Sequence, residues 1–226
     1  MNFTDRFLGS RLGPDPVYVG AQGNGGLASW IPISIAHGGL TIINTYVSQN
    51  LGAGRPERGS VYGWAAIWIS LVFALLMIPF ILALPNVFAA LDHTGALLKL
   101  ETQYAQVMGL GAFMLTASRG LQHYFYGMHL PRIVLIAAVA GNLTNIFFNW
   151  LLIYGQWGAP ALGVAGAAWG TVAGVTVELA IPFILFLGPK WNARYATRAA
   201  WKPAWAPVRD LIKTGWPGAL MFANEM

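Results

Sequence analysis

"SVYGWAAIWISLVFALLMIPFILAL", residues 60–84, contains no charged side chain. A helix needs roughly 20 mainly apolar residues to cross the ~30 Å hydrocarbon core of a bilayer. This stretch exceeds that length, so the solvent against which it must be read is lipid. Working outward, further apolar runs cover about 27–50, 104–127, 132–154 and 161–187, and another opens near Val208 and continues to Met226. Composition agrees: 56% of residues are hydrophobic and 9% charged, whereas soluble domains carry about 25% charged residues. The mean hydropathy is +0.55. The expected fold class is all-α, a polytopic transmembrane helical bundle. The absence of cysteine excludes a disulfide framework, a thiolate zinc site and a cysteine nucleophile.

The opening segment "MNFTDRFLGSRLG", residues 1–13, is too short and too polar to span. It has no basic region followed by an apolar core, so it does not read as a signal peptide. It is expected to be the tail of a helix, and the chain to be a piece of a longer protein cut within helices at both ends.

Loop charges orient the runs. "GAGRPERGS" carries Arg55 and Arg58, "GMHLPRI" carries Arg132, and the connector "GPKWNARYATRAAWKPAWAPVRDLIK" carries Lys190, Arg194, Arg198, Lys202, Arg209 and Lys213. With five spanning runs, all three connections fall on one side. The opposite connections hold Asp15, Asp92 and Glu101 against Lys99. The positive-inside rule makes the basic side cytoplasmic. Within the connector, Lys190, Arg194, Arg198 and Lys202 recur every four residues among Trp191, Tyr195, Trp201 and Trp205. Such a segment is expected to lie along the membrane interface in contact with lipid. Pro203 and Pro207 are expected to break it before the next helix. Membrane flanks account for the basic residues, so no nucleic-acid partner is inferred from the net charge of +5.

Polar residues inside the apolar runs are the candidates for function. "GNLTNIFFNWLLIYG", residues 141–155, places Asn142, Asn145 and Asn149 three and four residues apart, on one helical stripe. A buried amide without a partner costs several kcal/mol, on the order of 2–7, so the stripe must face protein or a water-filled cavity. It acts either as hydrogen-bonded glue between helices or as a site. Three amides on one stripe, with an acid elsewhere in the membrane, favour the site. Asp5, Glu178 and Glu225 are the acids in apolar surroundings, and ionisable groups there are functional candidates. Glu178 shares a helix face with Thr171, yet it could also reach water or pair with a basic residue. Arg119 reads as snorkelling to the interface. His37, His93, His123 and His129 lack metal-ligand spacing and read as structural or interfacial, with proton handling the alternative for His37. "GVAGAAWG", residues 163–170, is a small-residue packing surface. Pro32, Pro79 and Pro182 permit helix bends. No catalytic constellation is present, so an enzyme is not expected.

"VSQNLGAGRPERGS", "GNLTNIFFNWLLIYG" and "PALGVAGAAWGTVAG", in this order, resemble the multidrug and toxic compound extrusion (MATE) family of cation-coupled efflux transporters. The resemblance implies one six-helix lobe of a twelve-helix protein: residues 1–188 as the amino-terminal lobe, 189–207 as the basic interfacial connector and 208–226 as the start of a second lobe. The rest of that lobe would be supplied by a full-length chain. It also implies cation-coupled antiport of small-molecule drugs or organic cations across a bacterial inner (plasma) membrane, with no cofactor and Na+ or H+ as the coupling ion. "FTDRFLG" is similar to the family's first-helix motif, which makes Asp5 the leading coupling acid. Asn145 and Asn149 match paired polar positions of the fifth helix, and Asn149 stands where some members have aspartate. Thr171 matches a hydroxyl position of the sixth helix. Asp5, Asn145, Asn149 and Thr171 would thus hold Na+, or Asp5 a proton. Glu225 resembles an acid of the seventh helix; Asn142 and Glu178 are additional polar candidates from the residues alone. Two alternatives stand beside this reading: a lipid-linked precursor flippase of related architecture, and a fragment that does not transport.

Overall fold

The computed structural model describes residues 17–224; Asp5, the partial helix expected at 1–13, and Glu225 lie outside the described residues. Nine α-helices follow one another among those residues: α1 (Val17–Leu40), α2 (Ile43–Gly52), α3 (Pro56–Ala90), α4 (Gly95–Leu110), α5 (Ala112–Gly127), α6 (Pro131–Tyr154), α7 (Val164–Leu187), α8 (Pro189–Tyr195) and α9 (Trp205–Asn224). Four helical stretches are long and apolar enough to cross a membrane: Val17–Gly52 across its break, α3, α6 and α7.

The helices overrun or divide the apolar runs in ways that have local causes. Helix α3 extends beyond 60–84 at both ends. Pro56 occupies its first turn, where no backbone N–H is needed, and Glu57 complements the positive helix end. Backbone hydrogen bonding does not stop where apolar composition stops. The run expected at 104–127 is divided between α4 and α5, which meet at Gly111. A Cβ at Gly111 would lie 2.5 Å from Val172 Cγ2 on α7, so the small residue is where a neighbouring helix presses in. Pro207 does not end the connector, because α9 begins at Trp205 and carries Pro207 in its first turn, a tolerated position.

Packing is closest where side chains are smallest. Helices α6 and α7 form the most extensive pair, and α1 packs on both α4 and α9. A Cβ on Gly218 of α9 would lie 2.6 Å from the Gly38 carbonyl of α1, and one on Gly38 would collide with the Gly218 carbonyl. In lipid, helices associate through such close packing and hydrogen bonds rather than through hydrophobic exclusion. Leu71, Val72, Leu75 and Leu76 of α3, and Leu135, Ile136, Val139 and Leu143 of α6, remain exposed, as a surface bathed in hydrocarbon requires.

The connections bearing basic residues gather at one end, around a core of Val47, Leu121, Tyr124, Phe125, Phe186 and Tyr195. The connector is docked there by directed bonds. Ser60 Oγ donates to the Tyr195 carbonyl at 2.8 Å, Trp64 Nε1 to Thr197 O at 2.7 Å, and Trp68 Nε1 to Trp201 O at 3.0 Å. Arg198 Nε reaches Leu187 O at 2.8 Å, so this basic side chain ties the connector to the end of α7. Each neutral bond contributes about 1 kcal/mol. Trp64→Phe with Trp68→Phe is expected to raise the maleimide reaction rate of a cysteine placed at Ala199 in the full-length protein by roughly 5–30-fold. An unchanged rate would mean that the indole bonds do not hold the connector.

One outer-side reading needs correction. Glu101, taken from sequence as a loop acid, lies in α4 and is completely buried. Its Oε1 lies 2.8 Å from His93 Nδ1, and its Oε2 accepts from Asn24 Nδ2 of α1 at 3.1 Å. Polar residues near a helix start look like loop in a hydropathy scan, yet α1 folds over this one.

A polar seam opening onto a cavity

The α6/α7 hairpin is made by two glycines. Gly155 ends α6 in the left-handed region (φ 66°), as helix C-termini favour, and Gly163 precedes α7 at φ 53°. The amide of Leu162 then donates to Leu152 O at 2.8 Å and brings the chain back. Along α7, Gly166, Gly170 and Gly174 recur every four residues against α6. A Cβ at Gly166 would lie 2.6 Å from Leu152 O, and one at Gly174 would lie 2.7 Å from Gly141 O and 2.8 Å from Asn145 Cβ. At Gly170 it would collide with the carboxamide oxygen of Asn149. The missing side chains of α7 are thus the space that Asn145 and Asn149 occupy.

Both asparagines are fully buried and linked in series. Asn149 Nδ2 donates to Asn145 Oδ1 at 3.2 Å, Asn145 Nδ2 donates to Thr171 Oγ1 at 3.2 Å, and that hydroxyl donates to the Ala167 carbonyl at 3.1 Å. The structure therefore brings together Asn145, Asn149 and Thr171. Asn142 shares their stripe but is only half-buried, and its amide donates back to Ala138 O at 2.8 Å.

Thr171 also lines a cavity of about 410 Å³ between α1, α4, α5 and α7, within the roughly 300–1,000 Å³ usual for ligand pockets. Its walls include Trp30, Ser118, Arg119, Gln122 and Glu178. Gln122 is buried and donates to Glu178 Oε1 at 2.9 Å and to Ser118 Oγ at 3.1 Å. Arg119 Nη1 donates to Gln122 Oε1 at 3.4 Å. Arg119, an exposed side chain, thus also borders the cavity. Ser118 and Gln122, one helical turn apart, were detectable as a polar pair on an apolar helix. His37 is buried in the wall, with Nε2 3.1 Å from Leu115 O and its ring edge against Trp30.

For a cation, the seam offers amide and hydroxyl oxygens, which are hard ligands suited to Na+. Among the described residues, the carboxylate that shares the cavity with Thr171 is Glu178. No group of three or more His, Cys, Asp or Glu suited to a metal occurs among them.

A family model described as MatE matches residues 1–151. The chain belongs to the MatE family. Its members are transporters rather than enzymes. Curated relatives extend the match to the end of the chain. A protein of Burkholderia pseudomallei named "Probable multidrug resistance protein NorM" is 29% identical over 231 residues, covering 100% of this chain and 47% of its own length. One of the same name from Geobacillus kaustophilus is 24% identical, with 98% and 49% covered. The chain thus spans about half the length of the curated relatives it matches. Among solved structures, a multidrug resistance MATE family transporter in an inward-facing conformation is 20% identical and superposes with a TM-score of 0.83, covering 98% of this chain and 49% of that one. Such a transporter in an outward-facing conformation is 23% identical with the same TM-score of 0.83, covering 98% and 48%. These likenesses establish an all-α fold equivalent to about half of a MATE transporter. With the long apolar helices, family membership makes this an integral membrane protein.

Proposed function

We propose that this chain forms the amino-terminal lobe of a cation-coupled antiporter that exports small-molecule drugs or organic cations. In this reading residues 1–188 make the lobe, 189–207 the connector, and residues from 208 onward begin the second lobe, which the full-length protein supplies. The basic connections face the cytoplasm and the membrane is the bacterial inner membrane. The observation that carries the proposal is the chain from Asn149 through Asn145 to Thr171, which ends on the wall of a polar cavity. The names of the relatives support drugs as the exported class.

Asp5, Asn145, Asn149 and Thr171 bind the coupling cation, Na+ or H+. A cation shifts the transporter only if it binds one conformation more tightly than the other. The seam meets that requirement because it joins α6 to α7: a cation pulling on its oxygens competes with the amide bonds that set the packing of the two helices. Equal likeness to inward- and outward-facing structures supports a lobe that keeps its fold while its partner moves. In the full-length protein, Asp5→Asn and Asn149→Ala are each expected to lower ethidium efflux by about tenfold or more, as loss of a charge-assisted contact predicts. Wild-type efflux in both variants would defeat the proposed site.

A further inference from the structure

A groove of about 290 Å³ runs between α1, α3 and α9, walled by aliphatic and aromatic side chains that include Ala36, Ile69, Phe73, Leu211, Ile212 and Trp216. Ile212 and Trp216 are exposed, so the groove opens sideways. From Leu211 to Ala219 it follows α9 for about 12 Å at 1.5 Å per residue, which is most of one leaflet's half of the ~30 Å hydrocarbon core.

The connector crosses one end of this groove. Trp68, next to Ile69 in α3, donates its indole N–H to Trp201 O at 3.0 Å, which sets Lys202 beside that end. On α9, Arg209 comes one turn before Ile212 and Lys213 directly after it. Helical side chains lean toward the helix N-terminus, here the connector end. Lys202, Arg209 and Lys213 are exposed, and their side chains have neither a hydrogen bond nor an ion pair among the described residues. The acid beside them is already engaged: Asp210 Oδ2 accepts from Tyr62 O–H at 3.2 Å. Trp201 and Trp205, exposed at the same end, suit the headgroup region.

An apolar slot that opens sideways and ends at three unneutralised cations matches an amphiphile with a long apolar chain and a negative head. We propose that the groove holds one acyl chain of an anionic phospholipid, drawn from the leaflet at the basic end of the bundle, with Lys202, Arg209 and Lys213 around its phosphate. Charge favours this lipid over a zwitterionic one, because a choline or ethanolamine head brings a further cation to the cluster. The site is independent of which compound or ion the protein moves and of which side is cytoplasmic.

The test is native mass spectrometry of the purified full-length protein in detergent, titrated with dioleoyl phosphatidylglycerol, dioleoyl phosphatidylcholine or the short-chain dihexanoyl phosphatidylglycerol. Wild type is expected to bind one dioleoyl phosphatidylglycerol about tenfold or more tightly than the other two, the head separating one pair and the chain the other. Lys202→Gln, Arg209→Gln and Lys213→Gln should each weaken it roughly threefold to fivefold, and the triple variant should bind both dioleoyl lipids equally. Unchanged phosphatidylcholine binding shows that these variants are folded, and Lys202→Arg should retain the preference. Arg132→Gln is the control for general surface charge, since it starts α6, which packs on α7 and α5, and it should change nothing. Equal binding of the two dioleoyl lipids by wild type, or a preference that survives in the triple variant, overturns the proposal. So does a short-chain lipid that binds as tightly as the long-chain one, or an equal loss in Arg132→Gln and Arg209→Gln. A full-length protein that retains none of the lipids would show the groove covered by the second lobe instead, and overturns it too.

Discussion

Gly170→Val is expected to dismantle the polar seam and reduce ethidium efflux by the full-length protein by more than about tenfold. A first side-chain carbon at Gly170 already collides with the carboxamide oxygen of Asn149, and the Asn149 backbone nitrogen is only 3.0 Å from that carbon's position. Valine adds two more carbons there. Either Asn149 leaves the interface or α7 moves away from α6, and both break the series Asn149, Asn145, Thr171. Overpacking typically costs about 1–3 kcal/mol, and each lost interhelical bond about 1 kcal/mol. Gly23→Val is the control, because a Cβ at Gly23 meets nothing within 4 Å; both exchanges carry the same change in helix propensity. The measurements are efflux and thermal unfolding in detergent. Equal behaviour of the two variants would show that the glycine ridge does not shape the seam.

Glu101→Ala is expected to give the largest loss of stability, about 3 kcal/mol, in line with other buried pairs from which one partner is removed. The carboxylate is completely buried and accepts from Asn24 while pairing with His93. It thereby joins the start of α1, the connection after α3 and the first turns of α4. Alanine leaves the Asn24 amide and the His93 ring without that acceptor and opens a void. His93 is 27% exposed, so water recovers part of its loss. Glu101→Gln keeps the volume and an acceptor oxygen, and should cost about 1 kcal/mol, the scale of one hydrogen bond. The expected order of thermal midpoints for the purified full-length protein is wild type, then Glu101→Gln, then Glu101→Ala. An alanine variant as stable as wild type would show that the cluster does not hold these elements together.

The glycine ridge illustrates what was legible from sequence. "GVAGAAWG" reads as a surface for close helix packing, and in the structure Gly166 and Gly170 are the places where α7 touches α6. What it packs against was not legible, because a period of four identifies a face without identifying its neighbour. The stripe of Asn142, Asn145 and Asn149 was legible because residue type and spacing are local properties, whereas Thr171 was singled out by the family resemblance. Gln122 was missed because its significance comes from meeting Glu178 across 56 residues of chain. Glu101 was misplaced for the same reason: acids and lysine near a helix start lower the local hydropathy, while burial comes from α1.

The sequence by itself determined the solvent, the all-α class, the approximate helices and the stripe carrying two buried amides. These follow from composition and periodicity, which act within single helices and do not depend on partners. Only the tertiary structure decided that α7 leaves room for the amides, that Thr171 joins them to a cavity, that Gln122 meets Glu178 and that the connector is docked. Each of those depends on which helix faces meet, and in lipid that choice is made by close fit and hydrogen bonding between segments rather than by hydrophobicity along any one of them.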